Sequence, residues 1–292
     1  MRVTTLRIYP VKSLAGITVE RADVEPWGLA RDRRWGVFDE AGDSVTSRQL
    51  HDMLGLRAEP LDPATIRITD RDGGSVDVEA PVGGVPTPVT LTGQQTAIPA
   101  KSEAHDWLSQ RVGHRVRLLW QPDPTRRPIS VNHGGLPGDS LSLADDGPLL
   151  LATESSMAQL NAWIQQDEGL PDVPDIDPGD VSGPGGQATP ARDGFAPLDI
   201  VRFRPNVVID GDAPFAEDDW TSVRIGDVEF RTTVRCDRCV MTTIDPVTLA
   251  GGKEPIRTLA RHRRWAGKTW FGIRLAPRST GVISVGDQVV AG

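Results

Sequence analysis

Two cysteines, Cys236 and Cys239, stand two residues apart in Arg235-Cys236-Asp237-Arg238-Cys239-Val240-Met241-Thr242-Thr243-Ile244-Asp245-Pro246, and the 292-residue chain has no others. This spacing admits several chemistries. A zinc site needs four ligands, and the five histidines, at 51, 105, 114, 133 and 262, supply no second pair at ligand spacing. A thioredoxin-type dithiol belongs at a strand-to-helix turn, whereas the residues after Cys239 are β-branched and polar. Two buried structural thiols are a third reading. What sets the pair apart is Arg235 and Arg238 beside it. Cations favour the thiolate, and a thiolate is a soft ligand for a soft or high-valent metal.

A second set of residues is basic. Lys12-Ser13 follows Tyr9-Pro10-Val11; Arg31-Asp32-Arg33-Arg34-Trp35, Thr46-Ser47-Arg48-Gln49 and Arg204-Pro205-Asn206 come later. Each alone reads as solvated surface charge. Recurring at the ends of β-type segments, they suit an anion pocket, because a guanidinium fork binds phosphate bidentately.

Short strands must position these residues. Residues 3–9, 17–20 and 35–38 are β-type and bounded by Gly, Pro or Asp. Residues 65–69 and 75–79 alternate around Asp70-Arg71-Asp72-Gly73-Gly74 and predict a hairpin. Further strands are predicted at 116–120, 206–209, 222–234 (with Gly226-Asp227 as a turn), 270–275 and 281–290. Helices are predicted at 103–112 behind a Ser102 N-cap, at 153–165, and at 255–265 with Pro255 in the first turn. Strands and helices do not alternate regularly, so the class is α+β and β-rich, not a doubly wound parallel sheet.

Composition narrows the function. With 40 acidic and 32 basic side chains the net charge is −8, which disfavours general nucleic-acid binding. Two cysteines cannot make a disulfide framework. No signal-type apolar run and no stretch of roughly 18 apolar residues occurs, so no membrane span and a cytoplasmic location are expected. Residues 167–198 hold six Gly, six Pro, seven acids and one Arg, and read as a long mobile loop. Without them the chain carries only −2, so its acidity does not oppose a basic cleft.

The five segments Tyr9–Ser13, Arg31–Trp35, Thr46–Gln49, Phe203–Asn206 and Cys236–Pro246, in this order over the whole chain, resemble the MOSC family, in the branch that also carries an N-terminal MOSC β-barrel domain. The resemblance implies a β-barrel-like domain over residues 1–98, a MOSC β-barrel with peripheral helices over 99–292, and a molybdenum cofactor, a pyranopterin bearing a phosphate, between them. It implies that Cys239 is the protein ligand to molybdenum and the catalytic residue, with Cys236 behind it. It places cofactor contacts on Lys12, Ser13, Arg33, Arg204 and Asn206, with Arg238 as a further contact and Asp145 as the family's acidic residue before the second helix. The two positions after that acid usually carry hydroxyls, but here they are Asp146 and Gly147, which puts the local hydrogen bonds in doubt. The implied activity is two-electron reduction of N-hydroxylated compounds such as amidoximes, hydroxylamines and N-hydroxylated bases, fed by a separate electron-donor protein. Two alternatives stay open: a cofactor carrier or sulfur-transfer module without reductase activity, and a dithiol redox protein.

Overall fold

The computed structural model describes residues 1–167, 169–170 and 196–292. The loop expected at 167–198 falls almost wholly outside the described residues. Among those described, four sheets and three α-helices form an α+β, β-rich fold.

The largest sheet runs in the order Val289–Ala291, Ser222–Ile225, Val228–Asp237, Lys268–Pro277, Leu149–Thr153, Val207–Ile209, Val3–Ile8 and Ile17–Val19. Neighbours are antiparallel except Leu149–Thr153 and Val207–Ile209, which run parallel. The sheet curls until its first strand meets the start of Val3–Ile8, the strand next to its last. Val3 N–H donates to Asp287 O at 3.0 Å, and Val289 N–H to Met1 O at 2.9 Å. Leu6, Leu151, Val207, Ile209, Phe230, Ile273 and Leu275 fill the concave side, where the two-residue period of each strand delivers its apolar face.

A second core gathers Val11, Leu14, Trp35, Val37, Ile66 and Ile68 against Ala104, Leu108 and Val112 of helix α1 (Ser102–Val112). The 65–79 hairpin forms in full register, Thr65 opposite Glu79. Asp70 Oδ1 accepts from the N–H groups of Asp72 and Gly74 and so closes its turn. Helix α1 starts one residue earlier than predicted, at the expected cap residue. Ser102 is already helical, and Lys101 occupies the cap position with no side-chain bond. Gly113 ends the helix in the left-handed region, φ 64°.

Helix α2 (Glu154–Gln166) is capped as its sequence predicts: Thr153 Oγ1 accepts from Ser156 N–H at 3.0 Å. Helix α3 is shorter than predicted, Ile256–His262. Arg263 leaves the helix to reach Asp218 with Nη2 and Trp270 O with Nε, and Arg264–Trp265 turns into a short strand. Residues 281–290 also divide, into Gly281–Ser284 and Val289–Ala291, around Gly286 at φ 90°. Among the described residues no helix is long and apolar enough to cross a membrane.

At the start of α2 a carboxyl group is fully buried. Glu217 accepts from Ser156 Oγ at 2.7 Å and lies 3.4 Å from Thr153 Oγ1. Burial raises its pKa to about 7, against the opposing hydrogen bond from Ser156. A carboxyl that binds its proton more tightly folded than unfolded loses stability as pH rises, here between about 4.5 and 7. The loss reaches about 3 kcal/mol and is flat above that window. A Glu217→Gln variant should therefore gain on the wild type across that interval, read from urea midpoints at pH 5 and pH 8. An equal gap at both pH values would contradict a carboxyl that titrates there.

Candidate functional site: a basic cleft beside the cysteine pair

Three loops at one end of the large sheet deliver cations to a common place. The first leaves Val3–Ile8 and runs through Tyr9 to Ser13. It is stitched to the second, Arg31–Trp35, by Arg33 N–H to Tyr9 O (2.7 Å), Trp35 N–H to Pro10 O (3.1 Å) and Lys12 N–H to Trp35 O (2.8 Å). The third is Arg204–Asn206, between a short helical turn (Ile200–Phe203) and Val207–Ile209. Ser13, Arg33 and Arg204 all adopt positive φ, 70°, 50° and 57°. Such conformations cost about 1 kcal/mol or more for residues with a Cβ and gather where function over-determines the backbone. All three residues line one cleft that is open to solvent.

Around that cleft the structure brings together Lys12, Ser13, Arg33, Asp145, Arg204, Asn206 and Arg238, seven of the eight residues implied by the sequence. The eighth, Cys239, is exposed and lies between two lining residues, Arg238 and Met241. The cysteine that lines the cleft is Cys236, which is buried. Arg238 Nη1 donates to Cys236 Sγ at 2.8 Å, while its Nη2 donates to Phe203 O at 2.8 Å.

The cations differ in how they are balanced. Lys12 is buried and ion-paired with Asp145. Burial pulls the Lys12 pKa down against that partner, and Lys12 in turn holds the Asp145 carboxyl far below the usual carboxylate range. Arg33 pairs with Asp32 Oδ2 at 2.5 Å and donates to Asn206 Oδ1 at 3.0 Å. Arg204 forms no ion pair among the described residues. It is 8 % exposed, its Nη2 is buried without a hydrogen-bond partner, and burial pulls its pKa down to about 10. A buried guanidinium nitrogen left unpaired is costly, and an anion in the cleft would supply the missing acceptor.

Asn206 works mainly inward. Its Oδ1 also accepts from Leu150 N–H (3.2 Å), and its Nδ2 donates to Arg7 O (3.2 Å), so it knits three strands while fixing Arg33.

Two contributors carry no motif in the sequence. Arg127, 2 % exposed, donates to the carbonyls of Ser142, Ala144 and Asp145 and so shapes the loop that presents Asp145. Arg274 lines the cleft, pairs with Asp146 at 3.0 Å, and is held above the usual arginine range with Cys236 and Asp146 among its stabilising neighbours, against the opposing cost of burial. This pairing answers the departure at residues 146–147. Asp146 turns to Arg274 and to His133 Nδ1 (3.4 Å). A Cβ at Gly147 would sit 3.0 Å from Arg274 Cβ, so glycine there lets Arg274 lie against the loop. Among the described residues no group of three His, Cys, Asp or Glu side chains is placed to hold a metal ion.

A curled, mostly antiparallel sheet thus carries a basic cleft beside a Cys-x-x-Cys pair. The chain belongs to the MOSC family: the MOSC domain model matches residues 138–290, and the MOSC N-terminal beta barrel domain model matches residues 1–115. It is similar to mitochondrial amidoxime-reducing component 1 of Homo sapiens, 28 % identical over 311 aligned positions that cover 98 % of this chain and 82 % of that protein. It is also 28 % identical to molybdenum cofactor sulfurase of Oryza sativa subsp. japonica, covering 94 % of this chain but only 32 % of that protein. Among solved structures, the YUAD protein from Bacillus subtilis aligns over 99 % of this chain and 93 % of its own at TM-score 0.40 and 9 % identity, too distant to carry weight.

Proposed function

We propose that this chain is a molybdenum-cofactor-dependent reductase of N-hydroxylated compounds, with the cofactor seated in the basic cleft. The observation that carries the reading is the convergence of Lys12, Arg33 and the unpaired Arg204 on one cleft beside the cysteine pair. These residues fit a group that bears a phosphate and needs a soft ligand nearby. When bound, the group supplies the redox centre that takes the N–OH oxygen during two-electron reduction.

The chain's own residues have separable tasks in this reading. Lys12, Ser13, Arg33 and Arg204 hold the phosphate, which supplies Arg204 with the acceptor it lacks. Cys239 supplies the thiolate ligand. Arg238 sits next to it and, by bonding Cys236 Sγ, keeps the buried thiol turned inward. Asp145 holds Lys12 in place and stays ionised. The cleft takes Lys12, Ser13, Arg33, Thr46 and Arg48 from the first part of the chain and its other lining residues from Ala144 onward; in this reading two units meet there, a common place for ligands. Electrons come from a separate donor protein.

The test is elemental analysis of protein from a cofactor-producing host, combined with benzamidoxime reduction by a chemical donor. About one molybdenum per chain with turnover is the expected result. The similarity to a cofactor sulfurase motivates a second reading, a binding module that passes cofactor on. Stoichiometric molybdenum that transfers to an apo-enzyme, without amidoxime turnover, would favour that reading.

A further inference from the structure

The chain contains one tyrosine, Tyr9, and it lies 1 % exposed behind the cleft. Two cations lie over its ring: Arg204 Cζ is 4.2 Å from the ring centroid and Arg33 Cζ is 4.6 Å. Both arginines line the cleft, and they come from distant parts of the sequence. Two like charges at this separation repel, and a quadrupolar ring beneath both offsets the repulsion.

The rest of Tyr9 is bound to the same two loops. Its backbone N–H donates to Asp32 Oδ1 at 2.8 Å, while Asp32 Oδ2 takes the ion pair from Arg33. Its carbonyl accepts from Arg33 N–H at 2.7 Å. Its hydroxyl donates to Pro205 O at 3.1 Å, next to Arg204. Arg33 Nη2 lies 3.4 Å from Arg204 O and completes the circuit. Burial raises the Tyr9 pKa despite the two arginines, so the hydroxyl keeps its proton and remains a donor at neutral pH.

We infer that Tyr9 is a positioning residue that spaces the Arg33 and Arg204 guanidiniums for a phosphate dianion without touching the ligand itself. The inference rests on the proposed reading that the cleft takes a phosphate-bearing cofactor. The ring carries the function and the hydroxyl only trims it. With the ring absent, Arg204 has no partner on its buried side and is free to swing out of register with Arg33.

The single tyrosine makes the test direct. Protein labelled with 3-fluorotyrosine gives one fluorine resonance, and that resonance is followed during titration with inorganic phosphate, with chloride at equal ionic strength as control. A saturable shift specific to phosphate is expected, because the anion draws on both guanidiniums that flank the ring. Calorimetry with the same probe should find Tyr9→Leu weakened about tenfold and Tyr9→Phe within about threefold of the wild type. Phosphate binding to the wild type with no fluorine response, or a Tyr9→Leu variant as tight as the wild type, would overturn the role of Tyr9 while leaving the cleft assignment standing. Absence of phosphate binding by the wild type would sink the cleft assignment itself. The fluorine experiment decides the matter even where Tyr9→Leu does not fold, since it uses the native side chain.

Discussion

A Cys239→Ala variant is expected to lose at least about 10³-fold in benzamidoxime turnover while keeping the wild-type far-UV spectrum and urea midpoint. The two halves of this expectation have different origins. The loss follows from the proposed assignment of the ligand thiolate, since removing a group that acts at the reacting centre costs orders of magnitude in rate. The retained fold follows from the side chain's place: Cys239 is exposed, and the turn it begins is held by its backbone carbonyl, which accepts from Thr242 N–H at 3.1 Å and Thr242 Oγ1 at 3.0 Å. Alanine keeps that carbonyl.

Cys236 cannot step in. It is buried, and its sulfur is already engaged by Arg238 at 2.8 Å. A Cys236→Ala change is expected to cost about 10- to 100-fold, the range found when a supporting contact around a metal ligand is lost. It would release Arg238, and Arg274 would lose a stabilising neighbour. Equal rates for Cys239→Ala and wild type would remove Cys239 as ligand. A Cys236→Ala loss larger than that of Cys239→Ala would transfer the role to the thiol that lines the cleft.

What the sequence revealed and what it hid divide along a physical line. Backbone features with local causes were legible. The 65–79 hairpin is written in alternating residues and an Asp-Gly-Gly turn, and the start of α2 in Thr153. The Ser102 cap failed although serine suits that position better than lysine: the helix begins one residue earlier, with Lys101 at the cap making no side-chain bond, and α1 docks against Trp35 and Ile66. Leu149–Thr153 was not predicted at all. Its run of three leucines and an alanine has no period to betray a strand, since it is buried on both faces.

The same division holds for the cleft. Lys12, Ser13, Arg33, Arg204 and Asn206 sit in short motifs whose composition marks them. Arg274 and Arg127 lie in stretches that read as ordinary strand and loop: strand pairing sets Arg274 opposite Leu150, while Arg127 is brought in by the Pro128–Ser140 bridge and its bonds to the carbonyls of Ser142, Ala144 and Asp145. Their signal was indirect. Asp146 and Gly147 depart from the family pattern, and a departure that adds a charge and removes a side chain calls for a cation that fills the space. Arg274 is that cation.

The second large effect concerns Arg204, where stability and binding should move in opposite directions. Arg204 is buried, unpaired at Nη2, at φ 57°, and forced beside Arg33 across the Tyr9 ring. Each of these features costs the cofactor-free fold. Leaving a buried charged donor unsatisfied costs about 1–3 kcal/mol, and left-handed backbone adds about 1 kcal/mol. An Arg204→Met variant keeps an unbranched apolar stem and removes the charge, leaving the left-handed backbone as it is, so relief of the unsatisfied donor alone should stabilise the cofactor-free protein by about 1–2 kcal/mol, an upward shift of roughly 2–4 °C for a chain of this size. The same change should weaken binding of inorganic phosphate by about tenfold or more, because a charge-assisted fork to phosphate is worth roughly twice a neutral hydrogen bond. Lysine would not rescue it: an ammonium lacks the planar, bidentate fork of the guanidinium that sits over the Tyr9 ring. Stabilisation together with loss of phosphate binding is the pattern of a residue kept for its ligand. A variant that loses stability and keeps binding would mark Arg204 as a packing residue and leave Lys12 and Arg33 as the anion site.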